Sequence, residues 1–192
     1  EVSDSGSVEQ MVATTVREFG RVDILVNNAA LAYGEDRRPL VEVDEAVFRR
    51  VLEVKVVGSF LCAQAVVRQF LAQGGGGRIV NLSSSAGKRG SPNTAAYNAA
   101  NFAINGFTQS LARELAPRGI NVNAVCPGLT ETSRMDPLGR DDLWERRIAE
   151  IPMGRVGTDA EIADLIGFLC TDRARYVTGQ SWNVNGGAVT AL

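Results

Sequence analysis

The 192-residue sequence contains no histidine. That absence removes Ser-His-Asp and Cys-His catalysis and the commonest zinc ligand. Any chemistry must then be carried by Ser, Tyr, Lys, Asn or carboxylates. Cysteine is scarce: Cys62, Cys126 and Cys170 are far apart and odd in number. They form no disulfide framework and point to a reducing compartment, the cytoplasm. No stretch approaches the ~20 apolar residues of a membrane helix, and no signal peptide is visible, so no membrane partner is expected. Basic charge is not in excess either. The net charge is −2, with acids and bases mixed along the chain, whereas a nucleic-acid surface needs a basic patch to displace counterions. No repeat or interdomain linker divides the chain. The first residue is Glu1 rather than methionine, which points to a fragment, a processed product or a shortened reading frame.

What is present is an apolar content of 45%, enough for the core of one α/β domain. Val8, Met11, Val12, Val16 and Phe19 recur at helical spacing, with Ser7 and Gln10 placed as a capping box and Gly20 as the stop. Residues 22–26 are a β-branched run that reads as a buried strand ending in Asn27-Asn28-Ala29-Ala30. A long helical pattern covers residues 44–73. Four glycines, 74–77, follow it and lead into a strand, residues 78–82. No Lys-Ser/Thr comes after them, so they read as a turn rather than a phosphate loop. A Ser-, Gly- and Pro-rich loop (83–93), a helix (94–116), a strand (120–125), an irregular excursion (129–150), a helix capped by Thr158 and a last strand, Ser181–Val184, complete the pattern. Strands separated by helices imply an α/β fold with a parallel sheet covered on both faces. Ligands of such sheets bind beyond the strand C-termini. The polar segments 27–30, 83–85 and 127–132 all follow strands and are expected to converge on one rim.

In order along the chain, Asn27-Asn28-Ala29-Ala30, Asn81-Leu82-Ser83-Ser84, Tyr97 thirteen residues after Ser84, Pro127-Gly128 with Thr132, and residues 152–187 resemble the short-chain dehydrogenase/reductase family. The resemblance extends over essentially the whole chain. It implies a Rossmann-like, doubly wound parallel sheet and hydride transfer between NAD or NADP and a small-molecule secondary alcohol or ketone. In that reading Tyr97 is the general acid/base and Ser84 hydrogen-bonds the substrate oxygen. Asn27, Ala29, Tyr97, Asn101, Pro127, Gly128, Thr130 and Thr132 would lie at the cofactor. The resemblance also implies a homo-oligomer built through the long helices at 44–73 and 94–116 and through the C-terminal helix and strand.

The family's glycine-rich phosphate turn, G-x-x-x-G-x-G, does not occur in these 192 residues. The first βαβαβ half of the dinucleotide fold is therefore expected to be absent, giving one partial domain over residues 1–192. Glu1 would stand where an Asp often meets the adenine. The strand at 22–26 would be an uncovered edge, and dinucleotide binding by this chain alone is expected to be weak or lacking.

Two positions depart from the family pattern. A tyrosine titrates near pH 10 in water, and a positive group must favour its phenolate for it to act as a base. The family places a lysine four residues after the tyrosine; here that residue is Asn101. The helix at 44–73 carries Lys55 where the family usually has an asparagine. In one reading the two have exchanged places, Lys55 supplying the ammonium across the site and Asn101 keeping a ribose hydrogen bond. In the other both are losses: Lys55 is a solvated helix lysine and Asn101 a helix-surface residue. Cys126 reads as a small buried hydrophobe. Trp144 and Met135 either line a pocket or only pack. Asp141 and Asp142 read as a solvated turn rather than a metal site. Two further functions stay open: a non-catalytic binding or oligomerisation subunit of the same fold, and a cofactor-independent lyase using Ser84 and Tyr97.

Overall fold

The computed structural model describes residues 1–31, 34–132 and 142–190. Helix α1, Ser5–Phe19, starts at Asp4, whose carboxylate accepts the backbone N–H and the hydroxyl of Ser7, both at 2.7 Å. The cap is thus Asp4 rather than a box of Ser7 and Gln10: a carboxylate meets the orphan amides of the first turn directly. Gly20 closes the helix in the left-handed region, its N–H on the Val16 carbonyl. The helical pattern over 44–73 is one continuous run in three parts: α2 (Glu45–Leu52, capped by Asp44), a π-helical turn (Glu53–Val57) and α3 (Gly58–Gln73). The glycines that follow make the expected turn into β2, Gly77–Leu82.

Strand β1 is Ile24–Asn27 and β3 is Ile120–Pro127; α4, Ala95–Leu115, joins β2 to β3. A short strand β4 (Thr130–Glu131), helix α5 (Asp142–Ala149), strand β5 (Gly157–Thr158), helix α6 (Asp159–Leu169) and strand β6 (Ser181–Val184) follow. The main sheet is wholly parallel in the order β1-β2-β3-β6, with Asn27 opposite Asn81, Leu82 opposite Val125 and Pro127 opposite Val184.

Adjacent residues of a strand point to opposite faces, and the two faces have separate cores. Ile79, Ile120 and Val122 pack with Val8 of α1, Val66 and Phe70 of α3 and Leu115 of α4. Val80, Leu82 and Val125 pack with Ile162 and Leu169 of α6. The layers therefore follow the alternating β/α pattern, and the fold is a Rossmann-like α/β sheet.

Strand β1 departs from the buried run expected at 22–26. Leu25 and Asn27 are buried, but Ile24 and Val26 are 46% and 39% exposed. The reason is its place: β1 is the end strand of the described sheet, and α6 packs on β2 and β3. Glu1 is engaged by Arg50 of α2 at 3.2 Å. No described helix is long and apolar enough to cross a membrane.

Candidate active site

Because β1, β2, β3 and β6 are parallel, their C-terminal ends share one rim, and that rim gathers the polar segments. Asn27, at the end of β1, is buried. Its Nδ2 donates to Asn81 Oδ1 (2.9 Å) and to the Ser59 carbonyl (3.3 Å). Asn81 Nδ2 donates in turn to the Thr108 hydroxyl of α4 (2.9 Å), which donates to the Ile104 carbonyl. One chain of hydrogen bonds thus fixes the ends of β1 and β2 to the middle of α4. Ala29, two residues on, is exposed at the mouth of the same rim.

Ser84 follows β2 and opens a tight turn, Ser85–Gly87, by accepting the Ala86 N–H at 3.1 Å. The turn is docked on α4. Ser83 Oγ donates to the Asn101 carbonyl (3.0 Å), and Asn105 Nδ2 donates to the Gly87 carbonyl (2.9 Å). A Cβ at position 87 would lie 2.7 Å from Ser83 Oγ and 2.8 Å from the Asn101 carbonyl oxygen, so only glycine permits this approach. Tyr97 sits in the first turn of α4, half-buried, as the helix start at Thr94 predicts. Ser84 and Tyr97 are therefore carried by two elements bonded to each other.

The helix dipole at this end of α4 favours negative charge by roughly 0.3–1 kcal/mol. Tyr97 has a second neighbour: the guanidinium carbon of Arg37 lies 3.8 Å from its ring centroid.

Asn101 and Lys55 are both buried, at 1% and 7% exposure. That overturns the surface reading of each: neither the helix-surface asparagine nor the solvated lysine describes a side chain removed from water. Asn101 Nδ2 donates to the Tyr97 carbonyl (2.8 Å), while its Oδ1 is buried without a hydrogen-bond partner. Such an acceptor is costly by about 1–3 kcal/mol and marks a place built for a further donor. Lys55 lies in the π-helical turn, a distortion frequent at functional sites. Its carbonyl accepts the Ser59 hydroxyl at 2.7 Å. Val51, Leu52 and Val56 around it pack with Ala96 and Ala100, which flank Tyr97 and precede Asn101. The fold thus brings the segment holding Lys55 against the helix holding Tyr97 and Asn101.

The remaining rim segment leaves β3. Gly128 N–H donates to the Val184 carbonyl (2.9 Å), and a Cβ there would lie 2.7 Å from that of Asn185. Pro127, Gly128, Thr130 and Thr132 are all partly exposed. Thr130 and Glu131 pair with Gly157 and Thr158, which ties this loop to the start of α6. Cys126, one residue earlier, is wholly buried; burial pushes its thiol up, in keeping with a packing role. Trp144 is buried. Met135 and Asp141 lie outside the described residues.

Arg37 was missed by sequence reasoning, because an Arg-Arg pair in a loop carries no spacing signal. Of the buried polar residues Asn81, Asn105 and Thr108, only Asn81 carried a sequence signal.

Comparison with known proteins bears on what such a rim does. Residues 1–189 match the family described as enoyl-(acyl carrier protein) reductase. The chain is 41% identical over 186 residues to the 3-oxoacyl-[acyl-carrier-protein] reductase FabG of Staphylococcus aureus, covering 97% of this chain and 74% of that protein. It is 39% identical over 189 residues to a 3-oxoacyl-[acyl-carrier-protein] reductase of Synechocystis, covering 98% and 73%. It is likewise 39% identical over 187 residues to a 3alpha-hydroxysteroid dehydrogenase of Mediterraneibacter gnavus, covering 97% and 73%. These relatives are oxidoreductases by name and match nearly the whole chain. Together with the parallel sheet and the ordered Ser84–Tyr97 rim, they assign this chain to the short-chain dehydrogenase/reductase family, a family of oxidoreductases.

Proposed function

We propose that the protein is an NAD(P)-dependent oxidoreductase interconverting a secondary alcohol and a ketone, with Tyr97 as general acid/base and Ser84 orienting the substrate oxygen. The observation that carries this reading is the pair of bonds, Ser83 to Asn101 and Asn105 to Gly87, that locks the turn after Ser84 onto the helix bearing Tyr97.

The nicotinamide, when bound, supplies or takes the hydride. Tyr97 delivers the proton to the substrate oxygen in reduction and removes it in oxidation. The Ser84 oxygen already accepts the Ala86 N–H, so its own proton is available to steady the developing oxyanion. The residues present fit the nicotinamide end of such a cofactor. The orphaned Asn101 Oδ1 is suited to accept a ribose hydroxyl, and Gly128 keeps the loop close against Asn185 without a side chain in the way. Asn27, Ala29, Pro127, Thr130 and Thr132 complete this reading of the cofactor end. Lys55 is assigned the ammonium lost from position 101. The phosphate end has no glycine-rich turn in these residues, so weak binding by the 192-residue chain follows. A homo-oligomer through α3 and α4 belongs to the same reading.

Reduction of a 3-oxoacyl thioester and of a 3-oxosteroid, followed by loss of NADPH or NADH absorbance, tests the activity and separates the two chemistries named by the relatives. Absence of turnover with both, and calorimetric micromolar dinucleotide binding, would each overturn part of the proposal. A second reading is favoured by one observation: the residue four places after Tyr97 is a neutral amide bonded to the backbone. That fits a non-catalytic subunit, in which Tyr97→Phe would change nothing measurable.

A further inference from the structure

Ser84 opens the turn Ser85–Gly87, so its hydroxyl is placed only as firmly as that turn is held. Helix α4 holds the turn at its two ends, Ser83 and Gly87. Two such bonds leave rotation about the line that joins them. Two further bonds come from β6 and from the residue after it. Lys88 follows the turn, its N–H on the Ser85 carbonyl, and its ammonium donates to the Ser181 carbonyl at 2.7 Å. Asn185 Nδ2 donates to the Ser85 hydroxyl at 3.2 Å, in the middle of the turn.

The Ser181 carbonyl is suited to a side-chain donor. Strand β6 ends the described sheet. The Gln180 and Val184 carbonyls accept the amides of Ala124 and Gly128. Successive carbonyls of a strand point to opposite edges, so that of Ser181 faces the open edge, where the described sheet offers it no strand. The Ser181 hydroxyl donates to Asn105 Oδ1 at 3.2 Å, and Asn105 Nδ2 donates to the Gly87 carbonyl at 2.9 Å. Lys88 is the next residue after Gly87. The bonds therefore close a ring: serine turn to β6, β6 to α4, and α4 back to the turn.

We propose that Lys88 is a positioning residue for Ser84: its ammonium closes this ring and stops the serine turn from swinging on α4. The inference rests on the reading of Ser84 as the donor to the substrate oxygen. An ammonium on a carbonyl makes a charge-assisted bond, roughly twice as strong as a neutral one. The partly buried side chain carries that bond across to a strand 93 residues away in sequence. A donor to a developing oxyanion acts only if it is already in place when the charge appears. Loosening the turn therefore costs rate even where the fold survives.

Amide hydrogen exchange tests the holding of the turn without any turnover. The N–H groups of Ala86, Gly87, Lys88 and Arg89 are all bonded within the turn. In Lys88→Met their protection is expected to fall about tenfold, while that of α4 over residues 108–115 stays unchanged. Lys88→Arg keeps a cationic donor and should recover most of the protection. Kinetics reads the consequence for Ser84. Lys88→Met is expected to lower kcat by about ten- to a hundredfold, with KM for the dinucleotide unchanged. In a Ser84→Ala background the same substitution should change kcat by less than about twofold, because both changes act through one hydroxyl. The proposal is overturned if the turn amides of Lys88→Met exchange as in wild type. It is equally overturned if Lys88→Arg exchanges as fast as Lys88→Met, or if Lys88→Met costs as much kcat without the Ser84 hydroxyl as with it. Should Lys88→Met fail to fold, Lys88→Gln takes its place in each measurement. A wild-type protein without reductase activity would count against the proposed function, while the exchange would still decide the role of Lys88.

Discussion

The two halves of α4 are built differently. Its C-terminal half buries Ala112 and Leu115 among Phe70, Ile79 and Ile120. The stretch before it, from the N-terminus to just past the middle, buries Asn98, Asn101, Asn105 and Thr108 alongside Ala96, Ala100 and Ile104. Aliphatic packing is non-directional, so the first arrangement holds the helix on the sheet without specifying where any one loop must lie. Buried polar groups are directional, and here they hold two rim segments, the serine turn and the ends of β1 and β2. Asn105 holds Gly87, the Asn101 carbonyl holds Ser83, and Thr108 holds Asn81 and through it Asn27. The difference separates stability, concentrated in one half, from positioning, concentrated in the other.

Variants in each half should split along that line. Tyr97→Phe is expected to lower turnover by about 10²–10⁴, the usual contribution of a positioned acid/base, while the urea midpoint barely moves. Phe70→Ala, at the opposite end, should cost about 3–5 kcal/mol of stability and leave the turnover of each folded molecule unchanged. Parallel urea melts and initial rates read both. A Phe70→Ala protein that is stable but slow would break the division.

Much of this architecture was legible in advance because it follows from periodicity. The boundaries of α4 and β6, the cap at Thr158 and the convergence of 27–30, 83–85 and 127–132 come from apolar spacing and from the geometry of parallel strands. Three things were not legible. The cap of α1 moved from Ser7 to Asp4, because two nearby polar residues compete for the same amides. The π-helical turn at Lys55 leaves the apolar pattern of 44–73 nearly intact, so periodicity could not reveal it. The burial of Lys55 and Asn101 and the arrival of Arg37 depend on packing between segments tens of residues apart, which no local pattern encodes.

Asn81 is where the positioning half meets the sheet. It is wholly buried and bonds both Asn27 and Thr108. Asn81→Ala removes one bond from each of two buried partners, which keep their bonds to the Ser59 and Ile104 carbonyls, so a loss of about 1–3 kcal/mol is expected. Unlike Phe70→Ala, it should also depress turnover, because Asn27 loses one of its two anchors. Stability lost with turnover intact would mean that the network serves only the sheet.

The same polar devices in water should matter far less, and the start of α6 provides the contrast. Thr158 accepts the Glu161 N–H while Glu161 reaches back to the Thr158 N–H. Its exposed carboxylate is lowered to about 2, first by the hydrogen bond from Arg155 and then by that from the Thr158 backbone. Thr158→Ala should cost about 1 kcal/mol, the usual value of a cap. For Glu161 the native form holds its proton less tightly than the unfolded chain, whose ordinary value is 4.5. Its stabilisation is therefore fully present above that value and is lost as the pH falls toward 2. Urea melts of wild type and Glu161→Gln at pH 7, 4 and 2 should show a small gap that is constant at neutral pH and closes at the acid end. A gap that persists at pH 2 would mean that the capping box acts through the side chain's shape and not its charge.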